Sequence, residues 1–338
     1  MKTSQYRDIV AATNLTRAGN LAEATSLLQA TLAGATASVD DRAPGTNPAQ
    51  PLTPGQFIDK TYRGAAGSRG YNVYVPSAYH GQACPLIVML HGCTQSADDF
   101  AVGTRMNELA EQGTFFVAYP EQPSSANPRK CWNWFTRENQ QRDQGEPSIV
   151  AGITREIMHD YAIDRERVYV AGMSAGGAAA AVLGATYPDL YAAVGVHSGV
   201  ALGLAHDVPS AFAAMKTGRL QKRANQVSND RSSAPIPTIV FHGDRDSKVN
   251  KRNAERFADD LTAPAFTERT EAPQSSGGRS FTKTIYTDAA GRDVLERWSV
   301  HGAGHAWSGG SAAGSHTDAR GPDASLEMAR FFLSHRLT

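Results

Sequence analysis

Arg167-Val168-Tyr169-Val170-Ala171-Gly172-Met173-Ser174-Ala175-Gly176-Gly177, running on into Ala178-Ala179-Ala180-Ala181-Val182-Leu183, decides how this chain is read. A short run rich in Val and Tyr meets Gly-x-Ser-x-Gly and then an Ala-rich segment, an order that predicts strand, sharp turn and helix. In that context Ser174 stands at the tip of a nucleophile elbow. Gly172 and Gly176 lack the side chains that would collide as strand and helix close on each other. The helix N-terminus behind Ser174 offers backbone N–H groups and a partial positive charge to an oxyanion.

A serine nucleophile needs a base and a group to orient it. Pro237 to Phe241 reads as a buried strand that runs through His242-Gly243 into the polar loop Asp244-Arg245-Asp246-Ser247-Lys248-Val249. A carboxylate there lies at the carboxyl edge of a parallel sheet, where α/β sites are built. The pattern His-Gly-x-x-Asp-x-x-Val favours Asp246 as the acid, with Asp244 as a turn or capping residue. Further on, Trp298-Ser299-Val300-His301-Gly302-Ala303-Gly304-His305-Ala306-Trp307 predicts a strand and a glycine-punctuated loop. His305 follows two glycines that let the chain bend toward the site, whereas His301 stays close to the strand. His197 after its own strand and His316 in a polar loop read as hydrogen-bonded or solvated histidines. The chain order Ser174, Asp246, His305 is that of α/β-hydrolases.

Pro85 to Leu90 is a continuous apolar strand ending in His91-Gly92-Cys93-Thr94-Gln95. The loop after such a strand gives one backbone N–H to the oxyanion hole, and the residue after the nucleophile gives the other. Those donors are Cys93 and Ala175, an assignment that rests on position because a backbone N–H makes no demand on its side chain.

Leu90 to Gln95, Asn127-Pro128 with Cys131-Trp132-Asn133-Trp134-Phe135, and the elbow resemble the esterase family of polyhydroxybutyrate (PHB) depolymerases. Val196-His197-Ser198-Gly199, the 242–249 loop, Gly304 to Gly310 and Gly321-Pro322-Asp323-Ala324 extend the resemblance over roughly residues 55–337. It implies a serine-type carboxylic ester hydrolase with an α/β-hydrolase domain. The same family contains feruloyl and acetylxylan esterases, so substrate does not follow from membership. The expected substrates are short hydroxyalkanoate esters or polyester, with feruloyl or acetylxylan esters as the alternative. A serine peptidase and a non-catalytic polymer-binding protein are the more distant readings. Trp307, two residues from His305, Trp134 in its aromatic cluster, and His91 are candidate substrate contacts.

Composition fits a soluble enzyme. Among 338 residues, Lys plus Arg and Asp plus Glu each number 33, so formal charge is zero and nothing points to nucleic acid or an anionic membrane. No run is long and apolar enough to span a bilayer. Met1 to Asp8 lacks the apolar core of a secretory signal, which makes cytoplasmic residence the expectation and a trimmed extracellular or periplasmic protein the alternative. His197, His242, His301, His305 and His316 show no ligand spacing in a shared motif, so neither metal nor cofactor is expected. Cys93 and Cys131 each flank a site motif, and a bridge and a reduced pair both stay open; Cys84 begins a strand and reads as buried.

Residues 1–35 carry Ile9, Leu15, Leu21, Ala24, Leu27, Leu28 and Leu32 at roughly helical spacing. They predict a helical arm that packs on the main domain or pairs two subunits. Residues 36–55 read as an Ala-, Thr-, Pro- and Gly-rich linker, and 56–338 as the catalytic domain. Strands around 56–62, 71–75, 86–90, 115–118, 168–171, 193–197, 239–242 and 295–300 alternate mostly with helix-like segments. That alternation predicts a mainly parallel sheet covered on both faces, with a late hairpin over 281–300 and a closing helix over 324–335. The stretch 199–235 is where a cap could be inserted.

Overall fold

A computed structural model of the chain describes residues 55–218, 235–259, 261 and 264–337. The expected helical arm over 1–35, with any pairing of subunits through it, and nearly all of the 36–55 linker lie outside the described residues.

Eleven strands form the main sheet. In chain order they are β1 (Gln56–Gly64), β2 (Gly67–Val75), β3 (Cys84–Leu90), β4 (Phe116–Pro120), β5 (Ile163–Met173), β6 (Ala193–His197), β7 (Thr238–Gly243), β8 (Phe266–Thr270), β9 (Gln274–Ser276), β10 (Arg279–Asp288) and β11 (Asp293–Val300). The spatial order is β1-β2-β4-β3-β5-β6-β7-β11-β10-β8, with β9 paired to β10. The six central strands from β4 to β11 run parallel. The hairpin β1-β2 extends one edge and β10 the other, both antiparallel. Two short strands, β12 (Trp307–Ser308) and β13 (Thr317–Asp318), pair separately.

Among the described residues the α-helices are α1 (Ala97–Thr104), α2 (Met106–Gly113), α3 (Gly145–Asp160), α4 (Ala175–Thr186), α5 (Val208–Thr217), α6 (Arg252–Glu255) and α7 (Ala324–Leu333). Strand alternation sorts the side chains between the two faces of the sheet. Leu86, Val88, Leu90, Val168 and Val170 face one core with Ile149, Ile153, Ala178 and Leu183 from α3 and α4. Ile87, Met89, Tyr169, Ala171 and Met173 face the other with Phe100, Met106, Met328 and Phe332 from α1, α2 and α7. Central strands buried on both faces explain the unbroken apolar run of β3. This is the α/β-hydrolase fold, with a mixed rather than wholly parallel sheet.

The expected strands and closing helix are present, and β5 begins earlier than its apolar run suggested, at Ile163. In the 199–235 segment, residues 219–234 lie outside the described residues. The part before them holds α5, capped by Asp207, whose side chain accepts the Ser210 amide and whose own amide donates to Ser210 Oγ. The Asn250 amide donates to the Met215 carbonyl at 2.7 Å, setting α5 beside the loop after β7.

Backbone packs closely against backbone where β5 turns into α4. A Cβ on Gly172 would sit 2.7 Å from the Leu90 carbonyl oxygen, and one on Gly176 would sit 2.5 Å from that of His91. Both neighbours are backbone and have no rotamer to move into. Gly176→Ala is therefore expected to lower folding stability by about 3 kcal/mol, the upper range for overpacking. Urea denaturation beside wild type checks this, and a loss below about 1 kcal/mol would show that β3 and α4 can part.

Candidate active site

Ser174 has φ 57° and ψ −117°, a conformation that an L-residue adopts only when its surroundings impose it. Its amide donates to the His197 carbonyl at 2.8 Å, and its carbonyl accepts the Ala178 amide at 3.0 Å as the first turn of α4. The side chain is thereby turned out of the strand at the carboxyl edge of the sheet.

His305 Nε2 lies 2.9 Å from Ser174 Oγ, and His305 Nδ1 lies 2.7 Å from Asp246 Oδ2. Asp246 sits in the loop after β7, where its Oδ1 accepts the amides of Lys248 and Val249 at 2.8 and 2.9 Å. That turn leaves Oδ2 for the imidazole. Burial pushes the Asp246 carboxyl up, but the hydrogen bond and charge of His305, with the Val249 amide, outweigh it and hold it below the usual carboxylate range. With Asp246 ionised, the Nδ1 of His305 carries the hydrogen and Nε2 is left to accept one from Ser174. Asp244 serves the same loop differently. Its Oδ1 accepts the Gly302 amide at 2.7 Å and its Oδ2 lies 3.2 Å from His301 Nδ1, so it shapes the start of the loop that carries His305.

The loop after β3 offers one uncommitted amide beside Ser174. The Gly92 amide donates to Gln95 Oε1 at 2.9 Å, the Thr94 amide to the Arg129 carbonyl at 2.7 Å, and the Gln95 amide back to Gly92. The amides of Cys93 and, at the start of α4, Ala175 have no such partner among the described residues. Gly92 brings this loop against Ser174, since a Cβ on it would lie 3.6 Å from Ser174 Cβ.

Cys93 and Cys131 form a disulfide, and Cys84 is a free, buried thiol. The bridge ties the Cys93 amide to the segment 131–134. Glu146 in the first turn of α3 holds that segment by accepting the Asn133 amide and Asn133 Nδ2, each at 2.7 Å, while Gln122 Nε2 donates to the same carboxylate at 2.5 Å.

Two candidate substrate contacts are corrected by the structure. Trp307 is fully buried; its Nε1 donates to Ser325 Oγ at 3.0 Å and its ring packs on Phe100 and His197. His91 is also fully buried. Its Nε2 accepts the Gln122 amide at 3.1 Å, so the other ring nitrogen donates to the Gly92 carbonyl at 2.7 Å. Proximity in sequence to His305 and to the loop after β3 suggested the opposite, but both side chains turn inward and brace the loops they sit on. Trp134 is largely buried and, with Trp132, Glu146 and Val150, lines a cavity of about 10 Å³, no larger than a water site. Gln95, Glu146 and His197 were not read as part of the site, and their roles rest on partners 3 to 111 residues away. Among the described residues, no cluster of His, Cys, Asp and Glu is arranged to hold a metal ion, and no helix is long and apolar enough to cross a membrane.

Residues 69–280 match the family description Esterase PHB depolymerase. Poly(3-hydroxyalkanoate) depolymerase C of Paucimonas lemoignei is 32% identical over 239 residues, covering 69% of this chain and 57% of that protein. Feruloyl esterase B of Thermothelomyces thermophilus is 29% identical over 245 residues, covering 69% of this chain and 82% of that protein. The chain spans about half the length of the depolymerases it matches, 57% and 48%. The acetyl xylan esterase from Aspergillus awamori has the same fold, with a TM-score of 0.63 at 23% identity over 74% of this chain and 94% of that one.

Removing the bridge with Cys93→Ser and Cys131→Ser together is expected to lower stability by about 4 kcal/mol, for a loop closed across 38 residues, and to reduce kcat about tenfold. Denaturation curves and initial rates on a small ester measure both; an unchanged kcat would mean that Glu146 alone holds the loop.

Burial holds His91, His197 and His242 below the ordinary histidine value, His197 at about 3. The unfolded chain binds those protons near pH 6.5, so this stability is intact above about that pH and is lost as pH falls toward the folded values. The unfolding free energy from urea curves, and the midpoint with it, should stay level from about pH 8 to 7 and then fall, the free energy by up to about 1.4 kcal/mol per pH unit for each histidine. A midpoint that stays level down to about pH 5 would show that these rings are charged in the folded protein.

Proposed function

Because the chain belongs to the Esterase PHB depolymerase family, we propose that it is a serine carboxylic ester hydrolase that works through an acyl-enzyme on short hydroxyalkanoate esters or polyester. Residues 56–338 are its catalytic domain. The observation that carries the reading is the continuous relay of Ser174 Oγ, His305 and Asp246, at 2.9 and 2.7 Å.

Ser174 Oγ attacks the ester carbonyl carbon as His305 Nε2 takes the hydroxyl proton. Asp246 stays ionised and steadies the imidazolium through Nδ1. The carbonyl oxygen becomes an oxyanion and accepts hydrogen bonds from the amides of Cys93 and Ala175, in positions held before substrate arrives. The tetrahedral intermediate collapses with loss of the alcohol, which takes its proton from His305. Water, deprotonated by the same histidine, then attacks the acyl-Ser174 ester, and the carboxylic acid leaves with Ser174 restored.

A second reading, a feruloyl or acetylxylan esterase, is favoured by the feruloyl esterase B alignment, which takes in 82% of that protein. The bridged Cys93–Cys131 pair supports work in an oxidising compartment rather than the cytoplasmic residence expected from the amino terminus.

Initial rates on 3-hydroxybutyrate oligomers, p-nitrophenyl acyl esters of rising length, methyl ferulate and acetylated xylan test both readings, with Ser174→Ala as the blank. We expect preference for the hydroxybutyrate oligomers and a drop of about 10⁴-fold or more in the blank. Preference for ferulate or acetylxylan would establish the second reading. Equal rates in blank and wild type would overturn the serine mechanism.

A further inference from the structure

His197, at the end of β6, is hydrogen-bonded both to Ser174 and to the chain just beyond His305. Its carbonyl accepts the Ser174 amide at 2.8 Å, a bond any residue could supply. Its side chain does something more particular. The ring lies between Phe241 of β7, at 5.8 Å with planes 9° apart, and Trp307, at 4.9 Å and 25°. Nε2 accepts the amide of Ser308 at 3.0 Å, so Nδ1 carries the hydrogen, and it points at Ser198 Oγ 3.2 Å away. The ring is fully buried and burial keeps it neutral, which preserves Nε2 as an acceptor.

Ser308 lies three residues beyond His305. The chain leading to His305 turns at Gly302, with φ 72°, and a Cβ on Gly304 would meet nothing within 4 Å. The loop is instead fixed at its two ends. Upstream, Ala303 accepts the Arg245 amide at 3.0 Å. Downstream, the Trp307 amide donates to the His316 carbonyl at 2.7 Å, Trp307 Nε1 to Ser325 Oγ at 3.0 Å, and Ser308 Oγ to the Pro322 carbonyl at 2.8 Å. Those downstream contacts all lead to the chain after the loop. The His197 ring leads back to the end of β6, where the His197 carbonyl accepts the Ser174 amide.

We propose that His197 is a positioning residue whose ring, by accepting the Ser308 amide, sets the loop of His305 against the strand end that holds Ser174. It thereby fixes the approach of His305 Nε2 to Ser174 Oγ. The inference rests on the serine-esterase reading above, and it assigns His197 no contact with substrate.

Two amides of different reach separate this from a merely structural role. His197→Gln can bring Oε1 to the Ser308 amide, whereas His197→Asn is too short. Each is compared with wild type for kcat and KM on a p-nitrophenyl ester, for the rate of Ser174 modification by a fluorophosphonate, and for thermal midpoint. The Asn variant should lose about ten- to hundredfold in kcat and in Ser174 modification at a KM within about twofold, as expected when the base is misplaced. The Gln variant should recover most of that loss. If the Asn variant does not fold, His197→Phe, which keeps a stacked ring and lacks the acceptor, takes its place. A folded Asn or Phe variant with kcat within about twofold of wild type overturns the proposal, as does a Gln variant as slow as the Asn one. A loss confined to KM overturns it too. An inactive wild type would instead overturn the esterase reading, so the two failures are told apart.

Discussion

The site depends on one close approach of backbone to backbone. At the β5–α4 junction the chain must pass against the carbonyls of Leu90 and His91, which leaves no room for a side chain at Gly172 or Gly176. The same turn forces Ser174 to φ 57°, and the bond from its amide to the His197 carbonyl holds it there. An unfavourable conformation at one residue persists because the sheet and helix on either side are fixed by two buried cores. What that strain yields is a hydroxyl at the sheet's edge with unpaired amides behind it.

Electrostatics then organises what surrounds the hydroxyl. Asp246 is buried yet remains a carboxylate, since two backbone amides and His305 offset the cost of desolvation. The nearby Asp244 uses both of its oxygens on the chain around Gly302 and His301. Two acids two residues apart thus divide the work, one against the imidazole and the other shaping the loop that presents it.

The loops that converge here are braced from behind by buried and partly buried groups. Glu146 and the Cys93–Cys131 bridge hold the segment beside the Cys93 amide, while Trp307 and His197 hold the chain beyond His305. Catalysis by preorganised donors requires such rigidity, because an amide that must move to meet an oxyanion contributes little. Trp307 and His197, next to His305 and Ser174, are both drawn into the interior.

The sequence by itself determined the elements and the order in which chemistry appears along the chain. Alternation of apolar residues, the strand-elbow-helix signal around Ser174, and the succession of Ser174, Asp246 and His305 are local patterns, written by sterics between near neighbours. It also pointed, on position alone, to the amides of Ala175 and of Cys93 in the loop after β3 as oxyanion donors. Which amide of that loop remains unspent followed only from the fold, where Gln95 and Arg129 occupy its neighbours. The inward turn of Trp307 and His91, the pairing of Cys93 with Cys131, and the reach of His197 to Ser308 were likewise decided by tertiary structure. Each depends on the distance between groups far apart in sequence, as with the 111 residues that separate His197 from Ser308. Local propensity carries no record of such distances; they arise when the strands assemble and leave each side chain one place to go.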